Sequence, residues 1–241
     1  MPTGWWYQLT IMVNQVVNVL SYLNLFSLLI PISIGFWRWP RLNTSLRIAW
    51  AGLLIYFLLF SLSILMALGL VKLPYVHSLE FINYALAGLF GAAFTTCYAL
   101  AVSNGLPRLA IIGLGTVGAV GILAELIWRL DDVDVTVSPW AIPVQTVINT
   151  IIPIIYLHQL TRTSTVSLLT LPLFWISLGR LVSSLLSTLY DSLRVPMAES
   201  SRDLLMQWLC FQLALMVGCN IIYGIGFWKA RRTEPALGLR A

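Results

Sequence analysis

Charge is what this chain has least of. Only 10% of its 241 residues are Asp, Glu, Lys or Arg, no charged side chain precedes Arg38, and no acid precedes Glu80. Soluble domains carry roughly 25% charged residues, so there is no room here for a water-soluble domain on either face. Cysteine is nearly as scarce. Cys97, Cys210 and Cys219 fall in apolar stretches with no CxxC spacing, which excludes a disulfide framework. His77 and His158 are the two histidines and are expected at opposite ends of the bundle, so a metal or haem site is not expected. There is no HExxH, no histidine near a serine or cysteine with a third orienting group, and no acid pair at mid-membrane depth. An enzyme is not expected, nor is nucleic-acid binding: the net charge of +5 reads as loops facing anionic lipid.

What remains is long apolar runs. Uncharged stretches cover 1–37, 48–71, 81–107, 109–124, 135–161, 163–179 and 204–228. A helix crosses a bilayer core with about 20 apolar residues. The expected spans are 8–36, 47–70, 79–103, 108–129, 139–160, 166–190 and 203–229, an all-α seven-transmembrane bundle forming a single domain over 1–241. Ser138-Pro139 reads as a cap that starts the fifth span. Pro31, Pro143, Pro153 and Pro172 are expected inside spans as kinks. Small residues in the fourth span, Gly113, Gly115 and Gly118 among them, predict close helix approach, within the chain or in a dimer.

The basic residues set the expected orientation. Arg38, Arg41, Arg47, Arg108, Arg162, Lys229, Arg231, Arg232 and Arg240 fall on one side. Lys72, Arg129, Arg194 and Arg202 share the other side with seven acids. Basic loops favour the cytoplasm, which places the N-terminus outside and the C-terminus inside. Trp5, Trp6 and Tyr7 read as interfacial anchors rather than part of a removable signal.

A weak self-similarity links 8–103 to 139–229, with 108–129 as a connecting helix: Ile30-Pro31 matches Ile152-Pro153, and Gly91 with Tyr98 matches Gly218 with Tyr223. That spacing predicts a 3+1+3 pair of parallel repeats.

Ionisable groups inside spans are costly and point to function. Arg180 lies about 15 Å from the end of the sixth span at 1.5 Å per residue. It shares one helical stripe with Ser184, Ser187 and Asp191. Its long stem could snorkel outward to the headgroups, or the group could face the bundle interior. Glu125, one turn before Arg129, reads either as an interfacial ion pair with it or as a second functional group. Asn14 and Asn18 in the first span, Glu80 and Asn83 in the third, and Gln207 in the seventh form further polar stripes in the same half. Trp128, Trp140 and Trp208 lie near that face. Polar stripes in lipid are expected to face one another or water. The predicted site is therefore an outward-opening, partly aromatic pocket for a small anionic or amphipathic ligand. It would be formed by Arg180, Ser184, Asn14, Asn18, Glu80, Asn83, Glu125 and Gln207. The same groups could instead only lock the bundle. Asn220 and Tyr223 of an N-x-x-Y spacing are expected to hydrogen-bond between helices.

Seven spans with this polarity resemble the transporter–opsin–G-protein-coupled-receptor superfamily in architecture. Span seven lacks a lysine before Lys229, so covalent retinal is not expected, nor is any other cofactor. Asn24-Leu25-Phe26 with Pro31 and Trp37-Arg38, Pro172-Leu-Phe-Trp175 through Gly179, and Asn220-Ile-Ile-Tyr223 before Trp228 carry a closer resemblance. They are similar to uncharacterised seven-transmembrane proteins of Bacteroidota of sensory type. That resemblance implies signal reception at a bacterial inner membrane, with output passed to a separate protein such as a histidine kinase. A small-solute transporter and a structural or assembly subunit are the alternatives.

Overall fold

The computed structural model describes residues 4–71, 78–102, 105–128, 140–200 and 202–230. Side chains are described for these except 4–14, 67, 78–80, 194–200 and 202–203. Among the described residues, eight α-helices build seven membrane-length segments: α1 (Gly4–Ser27), α2 (Leu29–Trp37), α3 (Thr44–Ala67), α4 (Ser78–Ala101), α5 (Leu106–Trp128), α6 (Ala141–Thr163), α7 (Pro172–Ser200) and α8 (Arg202–Trp228). Seven segments are long and apolar enough to cross a membrane, the first combining α1 and α2. Among the described residues there is no strand.

Local chemistry explains the breaks. Pro31 has no N–H to offer the carbonyl four residues back, and the first span divides at Leu28 into α1 and α2. Asn43 caps α3 by accepting the Leu46 N–H at 2.9 Å. Pro172 is the first residue of α7, preceded by a 3-10 turn, Leu168–Thr170. The expectation that it kinks the sixth span is corrected: its missing N–H suits the first helical turn. Pro153 does lie inside α6, as expected. The fifth span begins at Ala141 rather than at Pro139, and Ser138 and Pro139 lie outside the described residues.

Packing follows a ring. α3 packs on α4, α4 on α6, α6 on α7 and α7 on α8, while α8 returns to α1 and α2, and α2 touches α3. α5 packs on α4 and α6. Its opposite face is exposed at Leu109, Val117, Val120, Leu123 and Ile127, which suits lipid. Glycines set the closest approaches. Trp50 of α3 lies on Gly35 of α2, and its indole N–H donates to the Ile32 carbonyl at 2.8 Å. Thr95 of α4 lies on Gly115, and Gln145 of α6 fits against both Gly91 and Gly118. These small residues of the fourth span therefore pack within the chain; Gly113 faces open space.

The interior is unevenly filled. The main apolar core joins Leu42 of the turn before α3, Leu46 and Ala49 of α3, Phe94, Cys97 and Tyr98 of α4, Ile152, Tyr156 and Leu160 of α6, Ile176 of α7 and Phe227 of α8. Those positions all lie in the half of the bundle that ends at the arginine-rich turns. The other half holds a small cluster, Tyr84, Ile122 and Ala141, and a cavity.

Candidate functional site

The cavity has a volume of about 490 Å³ and draws its lining from both ends of the ring: α1, α3 and α4 on one side, α6, α7 and α8 on the other. Arg180 is 5% exposed and sits near the middle of the span Pro172–Leu193. It does not snorkel to the headgroups. Its guanidinium carbon lies 4.2 Å from the ring centre of Phe90 and 5.0 Å from that of Phe94, within cation–π range. Its Nε has no hydrogen-bond partner, and among the described residues no carboxylate forms an ion pair with it. A cation at this depth is costly unless something compensates it. Here two aromatic faces hold it against the cavity wall.

α7 presents the predicted stripe to this space: Arg180, Ser184, Ser187 and Asp191 all line the cavity. Ser184 donates to the Leu181 carbonyl at 3.1 Å and Ser183 to the Arg180 carbonyl at 3.0 Å. Such bonds satisfy the hydroxyl protons and leave oxygen lone pairs for a ligand. Asn83, near the start of α4, also lines the cavity. Facing α7, α6 contributes Gln145, Thr146 and Asn149. Gln145 donates to Asn149 Oδ1 at 3.3 Å, while its own Oε1 is buried and without a partner. The apolar wall comes from Leu53, Tyr56, Leu86, Phe90 and Met216.

Asn220 and Tyr223 are at the floor. Asn220 Nδ2 donates to Ser27 Oγ at 2.7 Å and to Asn24 Oδ1 at 3.0 Å, and the Tyr223 and Ser183 hydroxyls are 3.2 Å apart. The N-x-x-Y spacing thus links helices, as expected. Below it the aromatic layer is closed: the ring centres of Tyr98 and Tyr156 are 5.1 Å apart and those of Phe94 and Tyr223 6.2 Å apart.

Several predicted residues are elsewhere. Asn18 and Gln207 are exposed on their helices and do not line the cavity. Helix rotation is the cause, since lipid is as apolar as the core and leaves the facing of each helix weakly encoded. Ser21 shows how a polar group can avoid the interior: it donates to the Val17 carbonyl of its own helix at 2.8 Å. The side chains of Asn14 and Glu80 lie outside the described residues.

Glu125 is completely buried rather than at an interfacial surface, and Arg129, its expected ion-pair partner, lies outside the described residues. Its carboxylate accepts the Tyr84 hydroxyl and, at 2.6 Å, the Ala141 N–H. Trp140 supplies no side-chain cap, so α5 provides the acceptor for the first turn of α6. Glu125 stands beside the cavity and is not part of its lining.

The expected tryptophans are also absent from the lining. Trp128 and Trp140 are 72% and 40% exposed, and the aromatic wall is made by Tyr56, Phe90 and Tyr223 instead. Gln145, Thr146 and Asn149 were legible as polar positions on one face of the fifth span and were missed because none is charged. Tyr56 and Phe90 sit in apolar runs, where nothing in the pattern distinguishes them.

The described residues form seven membrane-length segments, six of which line a partly polar cavity, and this defines a multi-pass integral membrane protein. No family model, curated protein or solved structure matches the chain.

Proposed function

We propose that this is a receptor-like membrane protein whose cavity takes a small organic anion, amphipathic in character, with Arg180 as counter-charge. The observation carrying this reading is Arg180 itself: a buried guanidinium at mid-membrane depth, held on Phe90 and Phe94, lining the cavity with its Nε unpartnered. Charge-assisted bonds from arginine to carboxylate or phosphate are among the strongest polar contacts. Ser184, Asn149 and Gln145 would orient the polar part of the ligand, and Leu53, Leu86 and Met216 would cover its apolar part. The volume suits a compact small molecule.

Reception fits better than transport because the cavity closes on packed aromatics toward the arginine-rich end. The ligand would bias the position of α2 or α6, each of which contains a buried proline, Pro31 and Pro153. The signal would pass to a separate protein, such as a histidine kinase, in the bacterial inner membrane. The arginine-rich end would face the cytoplasm. The resemblance to sensory seven-helix proteins of Bacteroidota supports this reading.

A transporter is the second reading. It is favoured by the cavity's position between α1–α4 and α6–α8, where two three-helix repeats joined by α5 would place a substrate. The separating experiment pairs thermal unfolding of the purified protein against a panel of carboxylates, phosphates and sulfonates with flux in proteoliposomes. Stabilisation without flux supports reception. Saturable flux lost in Arg180→Gln supports transport. No stabilisation by any anion, with Arg180→Gln folding normally, overturns both.

A further inference from the structure

At the arginine-rich end, far from Arg180, a second cleft of about 640 Å³ is lined by Arg38, Pro40, Arg41, Thr170, Lys229 and the end of α8. Two separate segments bring its cations together, and a third adds a hydroxyl. The 3-10 turn Trp39–Arg41, in which the Arg41 N–H donates to the Arg38 carbonyl at 2.8 Å, sets the two arginines one turn apart. Lys229 arrives from the end of α8, and Thr170 from the turn before α7. No acid is among the described lining residues.

Two of these cations, Arg38 and Lys229, are held on aromatic rings, while Arg41 is exposed. The Arg38 guanidinium lies 4.7 Å from the ring centre of Trp228 and 5.2 Å from that of Trp37, while its Nε is buried without a hydrogen-bond partner. Lys229 Nζ lies 5.7 Å from the ring centre of Trp175. Aromatic faces hold a cation without neutralising it, so its N–H edges stay available. Three like charges converging repel one another, and a bound anion relieves that repulsion.

Depth identifies the anion. Trp37 is 67% exposed and Trp228 51% exposed at the ends of their spans, the level at which aromatic belts meet lipid headgroups. We infer that this cleft is a binding site for the phosphate of an anionic phospholipid, with Arg38, Arg41 and Lys229 as its ligands. Acyl chains would run along the exposed apolar faces of α2 and α8 at Phe36 and Ile221.

The test is lipid retention by the purified full-length chain, measured by native mass spectrometry with phosphatidylglycerol and phosphatidylcholine in competition. Wild type should retain phosphatidylglycerol preferentially. Arg41→Gln and Lys229→Gln should each lower that retention about fivefold. Arg41→Lys should restore most of it, since the charge persists. Arg162→Gln, exposed in the neighbouring turn and outside the cleft, should leave it unchanged. Equal retention of the two lipids, or an equal loss in Arg162→Gln, would overturn the site. Displacement of the lipid by millimolar inorganic phosphate would assign the cleft to a free anion and overturn the lipid assignment.

Discussion

The carboxamide of Asn220 donates to Oδ1 of Asn24 at 3.0 Å, joining the last helix to the first at the point where the first span breaks. The same nitrogen reaches Ser27 Oγ at 2.7 Å. One side chain therefore ties the floor of the cavity to the Pro31 interruption. Replacing it with leucine keeps the branched outline of the side chain and strands Asn24 Oδ1 and Ser27 Oγ. Hydrogen bonds between membrane helices contribute about 0.6–1.7 kcal/mol. Asn220→Leu should lower stability by about 1–2 kcal/mol in reversible unfolding with a denaturing detergent, by the same arithmetic.

Gly118 makes room for the Gln145 side chain, so any Cβ there meets the Gln145 carboxamide. Gly118→Ala should cost about 1–3 kcal/mol, the usual penalty for overfilling a packed site. Gly113 on the same helix has nothing near its would-be Cβ. Gly113→Ala should therefore be neutral or stabilising by up to about 1 kcal/mol, because alanine is the better helix former. The pair separates packing from propensity in one unfolding series.

Glu125 serves the start of α6 from another helix. Glu125→Leu removes the acceptor from both Ala141 N–H and the Tyr84 hydroxyl, and should cost about 1–3 kcal/mol for each donor left stranded. Glu125→Gln retains a carbonyl oxygen and should recover part of that loss. Hydrogen exchange at the first turn of α6 should rise in Glu125→Leu and less in Glu125→Gln.

Orientation is checked by labelling. In a chain whose native cysteines are replaced, Leu70→Cys, exposed at the cavity end, should react with an impermeant maleimide in intact cells. Thr165→Cys, exposed at the arginine-rich end, should react after permeabilisation. The reverse pattern would place the cavity on the cytoplasmic side.

The fold was largely legible because each loop between spans announces itself by charge, and a run such as 48–71 has one physical reading at its length. Helix ends were less so: nothing in the hydropathy marks Pro172 as a first residue rather than a kink. The stripe from Arg180 to Asp191 could be read because a charge inside a span fixes which face is costly to expose. Asn18 and Gln207 could not be placed, since uncharged polar groups near a span end tolerate the interface. Gln145 could be placed by its glycine partners alone, and those come from two other helices. The role of Glu125 depends on its meeting a helix start sixteen residues away, Ala141, a contact invisible before the helices are assembled.

Binding at Arg180 is the centre of the account, and its most direct measurement is calorimetric affinity for the anion that stabilises the wild-type protein most. The measurement is repeated on Arg180→Lys and Arg180→Met, with helix content confirmed by circular dichroism. Lysine keeps the charge and loses the planar fork. Affinity should fall about tenfold in Arg180→Lys and more than a hundredfold in Arg180→Met, from about 1.5–3 kcal/mol for a hydrogen bond to a charged group and the loss of two such bonds. Unchanged affinity in a folded Arg180→Met protein would contradict the account.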